Sequence, residues 1–180
     1  MTGYLKIIIG PMFSGKTTEL IRIYNRYKAA ELKVLAINYK DDIRYHSTLM
    51  STHNKQMIPS INCKTLSEID YDDIQNYDII LINEGQFFED IYKYVDILVN
   101  KLNKRVYVCG LDGDFQRKKF GHIFDIIPIA DDIIKIKGIC NKCKMNDSIF
   151  TYRKGNNKEQ KIIGNDIYLG LCRKCYNELN

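Results

Sequence analysis

The sequence lacks the features that mark membrane, repeat or low-complexity proteins. No apolar run approaches the ~18 consecutive residues that a membrane-spanning helix requires. The first residues lack a basic stretch followed by a long apolar one, so no signal peptide is predicted and a cytoplasmic location is expected. We find no internal repeat and no low-complexity tract. A chain of 180 residues is expected to form one sizeable domain, or a domain with a small appendage.

The chain also lacks a block of charge of one sign. Its formal net charge is +5, but the lysines and arginines are interleaved with acids. We interpret this as a mildly basic surface without a function of its own, although it would favour a phosphate-bearing ligand. A basic stripe with an aromatic platform, as single-stranded nucleic acid requires, is missing. The composition predicts neither nucleic acid nor a membrane as a partner.

Cysteines are few, and their spacing is informative. Two of the six are isolated, whereas the other four form two CxxC pairs separated by 28 residues: Cys140, Cys143, Cys172 and Cys175. In a cytosolic protein such pairs indicate metal binding before disulfides. Four thiolates satisfy tetrahedral Zn²⁺ without an open position, so the predicted site is structural. Free thiols or two disulfides are the alternatives.

Apolar runs alternate with segments of helical periodicity along most of the chain, and this alternation favours a mainly parallel sheet covered on both faces. The predicted strands are 4–9, 33–37, 79–82, 106–109 and 133–137, and the predicted helices are 17–31 and 89–103. The polar section 40–63 is predicted as a long loop. From Gly138 onward only short β-like pieces occur, at 149–152, 161–163 and 167–169. We therefore predict two domains, 1–138 and 139–180.

The segment GPMFSGKT (10–17) matches G-x-x-x-x-G-K-[ST] in full and falls between a predicted strand and a predicted helix. Its glycines let backbone N–H groups face a polyphosphate, and the helix N-terminus adds positive charge. Lys16 can reach the β- and γ-phosphates, and the Thr17 hydroxyl can bind Mg²⁺. The alternative is a strand-to-helix turn that matches by chance. We predict a loop that binds a nucleoside triphosphate, and hence a P-loop NTPase-type α/β fold.

Glu84 directly follows the predicted strand 79–82, in the segment INEGQFF. A phosphate loop requires an acidic residue at the end of a neighbouring strand, to hold the metal's water shell or to activate a nucleophile. Taken alone, a glutamate at a strand end is more simply explained as a solvated or capping residue. Its partnership with the phosphate loop favours the catalytic interpretation.

Several separate motifs, in order along the chain, carry a resemblance to one family. They are GPMFSGKTTEL at 10–20, EGQFF at 84–88, LDGDFQRKKFG at 111–121 and the two cysteine pairs. With these motifs the chain resembles the type II thymidine kinases over nearly its whole length. The resemblance implies transfer of a phosphoryl group from ATP, with Mg²⁺, to the 5′-hydroxyl of thymidine and deoxyuridine, in deoxynucleoside salvage for DNA synthesis.

The resemblance also implies roles for individual residues. Glu84 would be the general base, with Lys16 and Arg153 as further catalytic residues. The implied nucleotide-binding residues are Gly10, Pro11, Met12, Phe13, Ser14, Gly15, Lys16, Thr17, Thr18, Asp42, Arg44 and Asn83. The implied nucleoside-binding residues are Met12, Phe87, Leu111, Phe115, Thr151, Ile162, Gly164 and Tyr168.

The segment 151–168 resembles the family's lasso, a loop that closes over the nucleoside and recognises thymine largely through backbone groups. The structural zinc would hold both ends of this loop. The family further implies a homotetramer and feedback inhibition by thymidine triphosphate. Because the chain stops soon after Cys175, control by a C-terminal tail is not expected.

Two residues depart from the family pattern. Asn83 stands where the family usually has aspartate, which predicts weaker or altered Mg²⁺ dependence rather than loss of activity. Asp114 replaces a more usual uncharged residue, and it could contact the sugar or face solvent. Two other functions stay open: a nucleic-acid-binding module with a zinc ribbon beside an NTPase core, and an inactive relative that binds nucleotide without transferring phosphate.

Overall fold

The computed structural model describes residues 2–40, 49–51, 56–155, 157, 159, 160, 162 and 166–179. Its strands and α-helices, in chain order, are β1 (Tyr4–Gly10), α1 (Lys16–Ala29), β2 (Val34–Tyr39), β3 (Leu49–Ser51), β4 (Met57–Pro59), β5 (Ile61–Cys63), α2 (Tyr71–Gln75), β6 (Ile79–Ile82), α3 (Ile91–Asp96), β7 (Arg105–Leu111), β8 (Asp132–Lys135), β9 (Gly138–Ile139), β10 (Asp147–Ser148), β11 (Phe150–Arg153), β12 (Tyr168–Leu171) and α4 (Arg173–Asn177). Three 3₁₀ segments span Leu66–Glu68, Gly85–Phe87 and Ile123–Ile129, and a π-helical turn, Ile97–Lys101, continues α3. Within these ranges, no helix has the length and apolar character to cross a membrane.

Six parallel strands form the central sheet, in the order β5-β2-β6-β7-β1-β8. The middle strands are rich in isoleucine, leucine and valine, and β6 is a continuous run of isoleucine and leucine whose four residues are all buried. Such runs are typical of parallel strands that are covered on both faces, because crossover helices lie on each side. The prediction of a mainly parallel sheet flanked by helices is confirmed.

Alternate residues of the central strands pack into two separate cores. Ile80 and Ile82 of β6 face the core that contains α3, whereas Ile79 and Leu81 face the core that contains α1. The apolar positions of each helix repeat at helical spacing, so each helix presents one apolar face to the sheet. The sheet is thus held by apolar burial on both sides.

The prediction of one long loop over 40–63 is wrong for the part of that section which the structure describes. β5 is the edge strand of the central sheet, and β3 and β4 form an antiparallel ribbon. Each of these strands has one buried apolar side chain: Met50, Ile58 and Cys63 are at most 4% exposed. Strands of three residues are too short to show an alternating pattern of apolar and polar residues. They cannot be distinguished from the polar residues around them by sequence alone.

The C-terminal region contains two small antiparallel sheets, β9 with β10 and β11 with β12, followed by α4. Its core is a small cluster of Cys140, Leu171, Cys172, Cys175 and Tyr176. Two of the predicted β pieces correspond to β11 and β12, while most of 161–163 lies outside the described residues. The division into domains at residue 138 stays a prediction.

Candidate active site

The phosphate loop follows β1, and the Glu84 segment follows β6, with β7 between these two strands in the sheet. The strands are parallel, so their carboxyl ends share one edge of the sheet, which is where open α/β sheets bind ligands. Directly after β7, the backbone N–H of Asp112 donates to the carbonyl oxygen of Gly10 at 3.4 Å. Three loops that are distant in sequence therefore border one site.

The phosphate loop has the backbone that its sequence predicts. Gly15 has a φ of 85°, a left-handed conformation that glycine adopts at little cost, directly before Lys16 begins α1. The Lys16 ammonium donates to the carbonyl oxygen of Pro11 at 2.6 Å, and the Ser14 hydroxyl donates to the same oxygen at 2.9 Å. The cation of Lys16 is thus held across its own loop, where a phosphate-binding lysine is needed.

The first turn of α1 continues the predicted nucleotide site. Thr17 is half-buried and Thr18 is exposed. Both lie at a helix N-terminus, where unpaired backbone N–H groups and the helix dipole favour an anion.

Glu84 has an unusual backbone conformation for a residue with a side chain, with φ 56° and ψ 42°. Strain of this kind is concentrated at functional sites. Its half-buried carboxylate accepts a hydrogen bond from Nε2 of Gln86 at 2.6 Å. Gln86 is only 1% exposed, and its Oε1 accepts a hydrogen bond from the backbone N–H of Leu111 at 3.0 Å. One buried amide therefore connects Glu84 to the last residue of β7.

Gln86 was not predicted as a site residue, although Gly110 and Gly121 in the sequence mark places where another chain segment approaches closely. A Cβ atom on Gly110 would lie 2.3 Å from Gln86 Oε1, and one on Gly121 would lie 1.7 Å from the Gln86 carbonyl oxygen. Gly121 also has a φ of 59°. Glycine is required at both positions because the Gln86 segment approaches them so closely.

The Asn83 side chain lies in a buried hydrogen-bond network at the ends of three strands. It is 3% exposed, donates from Nδ2 to Oδ1 of Asn38 at 2.8 Å, and accepts at Oδ1 from the Cys109 thiol at 2.9 Å. An amide oxygen has two lone pairs, and the Cys109 thiol occupies one of them. The role of Asn83 toward Mg²⁺ stays a prediction.

The two predicted aromatic walls have different neighbours. The Phe87 ring contacts the rings of Tyr39 and Phe120, with centroids 5.0 Å and 5.4 Å away. The Phe115 ring lies 3.5 Å from the guanidinium carbon of Arg153. Tyr39 and Phe120 were missed because an isolated aromatic residue is more simply explained as core packing. Their contacts with Phe87 make them part of the same aromatic surface.

Arg153, near the start of the lasso segment, is 4% exposed. Its side chain contacts later residues of that segment and the Phe115 ring. Its guanidinium donates to the carbonyl oxygens of Asn157 and Glu159 and covers the Phe115 ring. The predicted role of Arg153 at the phosphates stays a prediction. Three further predicted site residues, Asp42, Arg44 and Gly164, lie outside the described residues.

The first residue of the lasso segment contacts the phosphate loop, and its last residue contacts a residue within the segment. The Thr151 hydroxyl accepts a hydrogen bond from the backbone N–H of Met12 at 3.0 Å. At the other end, the Tyr168 hydroxyl donates to the carbonyl oxygen of Ile162 at 2.9 Å. The structure thus brings Thr151 and Met12 together, and Tyr168 and Ile162 together.

Asp114 is 5% exposed, so the alternative that it faces solvent is wrong. Its Oδ1 accepts hydrogen bonds from the backbone N–H groups of Gln116 and Lys118, both at 2.8 Å. Its Oδ2 accepts a hydrogen bond from Nε2 of Gln160 at 2.7 Å. The carboxylate therefore organises its own loop and contacts the lasso segment.

The four paired cysteines converge on one point. Their sulfur atoms all lie within 4.8 Å of one another, close to the ~3.8 Å separation expected for four sulfurs 2.3 Å from a tetrahedral Zn²⁺. Burial opposes ionisation of Cys140, yet backbone N–H donors around it lower the pKa of its thiol to about 6. The donor set and its geometry fit a structural zinc ion, which Cys140, Cys143, Cys172 and Cys175 would hold.

The fold and the site define a phosphate-loop α/β protein with an acidic residue at a neighbouring strand end and an appended four-cysteine module. The family model for thymidine kinase matches residues 3–176. The thymidine kinase of vaccinia virus (strain Ankara) is 42% identical over 175 residues, which cover 97% of each chain. Those of sheeppox virus (strain KS-1) and variola virus (isolate Human/India/Ind3/1967) are each 41% identical with the same coverage. The chain belongs to the thymidine kinase family of enzymes, and the resemblance is confirmed.

Among solved structures, domain III from the Thermotoga maritima replication initiation protein DnaA aligns with a TM-score of 0.42 and 18% identity. The alignment covers 74% of this chain and 55% of that one. This likeness is too weak to inform either fold or function.

Proposed function

We propose that the protein transfers the γ-phosphoryl group of ATP to the 5′-hydroxyl of thymidine, and of deoxyuridine, to give the nucleoside monophosphate. The observation that carries the proposal is that the loop of Lys16 and the strained Glu84 follow parallel strands at one edge of the sheet. The names of the viral relatives support thymidine as the substrate. The product would enter deoxynucleoside salvage for DNA synthesis.

Glu84 would accept the proton of the 5′-hydroxyl as its oxygen bonds to the γ-phosphorus, and ADP would leave with the electron pair of the broken P–O bond. A neutral hydroxyl needs such a base, which typically contributes 10²–10⁴-fold in rate. The hydrogen bond from Gln86 fixes one carboxylate oxygen, so the other oxygen is oriented for this step.

The remaining requirement is neutralisation of negative charge around a loose phosphoryl transition state. The Lys16 ammonium would exchange the Pro11 carbonyl oxygen for phosphate oxygens. Mg²⁺ bound with ATP would neutralise further charge, with the Thr17 hydroxyl as a ligand and Asn83 near its water shell. Arg153 and Arg44 are the further cations proposed near the phosphates, and Asp42 is proposed near the metal.

The nucleoside would lie between the aromatic walls of Phe87 and Phe115, with Met12 and Leu111 at its sides. A planar base gains from stacking on such rings. Backbone groups of the lasso segment, including those of Ile162 and Gly164, would recognise the base edge, and Thr151 and Tyr168 would hold the ends of that segment. The hydrogen bond between Thr151 and Met12 supports this, because it connects the lasso to the phosphate loop.

The zinc ion would hold the C-terminal module in shape without taking part in the reaction. The homotetramer, feedback inhibition by thymidine triphosphate and a cytoplasmic location are further proposals that the family membership supports. The inhibitor would carry a thymidine group and a triphosphate, so it could occupy the nucleoside pocket and the phosphate loop together.

The test is formation of thymidine monophosphate from thymidine and ATP by the zinc-loaded protein across a Mg²⁺ series. Glu84→Gln keeps the shape of the side chain and removes the base, so we expect a 10²–10⁴-fold lower kcat, or about 3–5 kcal/mol. Glu89→Gln, on an exposed residue of the next turn, is the matched control and should leave kcat unchanged. An active Glu84→Gln variant would remove Glu84 from the mechanism.

The second candidate function is nucleotide binding without phosphoryl transfer, and the neutral Asn83 is the observation that favours it. The same assay separates the two functions. Absence of product from the native protein at every Mg²⁺ concentration, together with measurable ATP binding, would support the inactive binder.

A further inference from the structure

The Asp114 carboxylate is the centre of the loop that carries Phe115. Its Oδ1 accepts two backbone N–H groups of that loop, and its Oδ2 points to a residue 46 positions away, Gln160. The Asp114 side chain is almost fully buried, and a buried carboxylate is stable only with such partners. The aspartate is thus built into the loop and has one oxygen directed at the lasso segment.

Gln160 contacts the Phe115 loop at two points. Its Nε2 donates to Asp114 Oδ2 at 2.7 Å and to the carbonyl oxygen of Lys119 at 3.2 Å. One primary amide carries two hydrogens, so both can be used at once. The residue is otherwise exposed, and these contacts therefore do not result from packing in a core.

Arg153 fastens the residues just before Gln160 to the same loop. It donates to the carbonyl oxygens of Glu159 and Asn157, and its guanidinium lies against the Phe115 ring. Phe115 is therefore enclosed between a loop organised by Asp114 and an arginine that holds the lasso segment. The position of the ring depends on both.

We propose that Asp114 and Gln160 form a latch that joins the lasso segment to the loop after β7 and so positions Phe115 for nucleoside binding. Both are positioning residues, which act through Phe115 and the lasso rather than on the reacting atoms. The importance of Phe115 rests on the proposed function, whereas the latch itself does not. The latch is a device of this chain, because it uses the carboxylate by which the chain departs from the family pattern.

The first test compares Gln160→Ala with Gln116→Ala. Gln116 is an exposed glutamine in the same loop, and its backbone N–H, the group that Asp114 uses, is retained in the variant. Loss of a hydrogen bond to a carboxylate should raise the KM for thymidine about tenfold in Gln160→Ala, with the KM for ATP and kcat changed less than about twofold. The control should match the native protein. An unchanged KM for thymidine in Gln160→Ala would overturn the latch.

The second test reverses the pair. Gln160→Glu alone would place two carboxylates together and should weaken thymidine binding more than Gln160→Ala does. Adding Asp114→Asn should rescue it, because the new amide can accept the two loop N–H groups at Oδ1 and donate from Nδ2 to the new carboxylate. Failure of this rescue, in a double variant whose loop is folded, would show that no specific pairing exists.

The third test needs no catalytic activity. Lys158 and Lys161 lie on either side of Gln160 in the sequence and are trypsin sites. Without the latch, trypsin should cleave there about tenfold faster in Gln160→Ala than in Gln116→Ala, in the absence of any substrate. Equal cleavage rates would overturn the latch even if the protein phosphorylates thymidine. Faster cleavage in a protein without kinase activity would keep the latch and reject the proposed function.

Discussion

The central sheet and the C-terminal cysteine region are stabilised in different ways. The sheet buries isoleucine, leucine and valine side chains on both faces, and the residues of β6 are all 0% exposed. Among the residues that the structure describes, the core of the C-terminal region has five buried members, and three of them are cysteines. Apolar burial is the main stabilising contribution in the first region. The second offers little apolar surface, so we expect its stability to rest on a metal held by its thiols. A structural metal is the usual solution for so small a core.

The candidate site lies where these two regions meet. The Met12 N–H donates to Thr151, and the Tyr176 hydroxyl donates to the Phe115 carbonyl oxygen at 2.5 Å. The backbones also approach closely, since a Cβ on Gly138 would lie 2.7 Å from the Phe13 carbonyl oxygen. The phosphate loop belongs to the stable sheet, while the residues that would enclose the nucleoside depend partly on the cysteine region.

Removal of zinc should cause the largest loss of stability, and this loss should be confined to the C-terminal cysteine region. A four-thiolate zinc site contributes on the order of 10–16 kcal/mol of apparent binding free energy coupled to folding. A strong chelator should therefore abolish hydrogen-exchange protection in β11, β12 and α4 while β6 and β7 stay protected. Retained protection in β11 and β12 without metal would show that the cysteine region is stable by packing alone.

Gly121→Ala should cause the next largest loss of stability. The new Cβ would overlap the Gln86 carbonyl oxygen, at 1.7 Å, in addition to the strain of a φ of 59°. Gly155→Ala is the matched control, because Gly155 has a φ of 89° with no atom within 4 Å of the new Cβ. Urea unfolding should show a cost of about 3–5 kcal/mol for Gly121→Ala and about 1 kcal/mol for Gly155→Ala. Equal costs would mean that the Gln86 segment moves aside freely.

Tyr176→Phe should have a smaller effect, confined to the junction of the two regions. The variant keeps the ring contacts with Phe150 and Tyr152 and removes the hydrogen bond to the Phe115 carbonyl oxygen. The lost bond is worth about 0.5–1.5 kcal/mol, so the KM for thymidine should rise several-fold with zinc content unchanged. Tyr92→Phe, at a residue that is 48% exposed, is the control. An unchanged KM for thymidine would show that the cysteine region does not control the position of Phe115.

Asn83→Asp, at the edge of the central sheet, should have the smallest effect, a change in the Mg²⁺ dependence of activity. A carboxylate would attract the metal's water shell, so the Mg²⁺ concentration for half-maximal activity should fall about threefold. The variant also loses the amide donor to Asn38, which must then turn its own amide toward the new carboxylate. Asn76→Asp makes the same charge change at an exposed residue and controls for net charge. An unchanged Mg²⁺ titration would contradict the proposed role of residue 83.

Much of the fold could be predicted because its signals are local. The strand-loop-helix of the phosphate loop, the buried run of β6 and the CxxC spacing each lie within a few residues, and all three are present as predicted. The three-residue strands β3, β4 and β5 could not be predicted, because their pairing depends on partners distant in the sequence. The role of Gln86 could not be predicted for the same reason, because its amide connects Glu84 to β7 only when β6 and β7 lie side by side.

The sequence by itself determined the fold class, the phosphate loop, the acidic residue at a strand end and the two cysteine pairs. Each of these depends on backbone conformation or periodicity within a short segment, which the local residues control. Only the tertiary structure decided the orientation of Asp114 toward Gln160, the position of Arg153 over Phe115 and the network around Asn83. These contacts join residues 26 to 46 positions apart, and a side chain's partner at that distance depends on how the strands and loops pack.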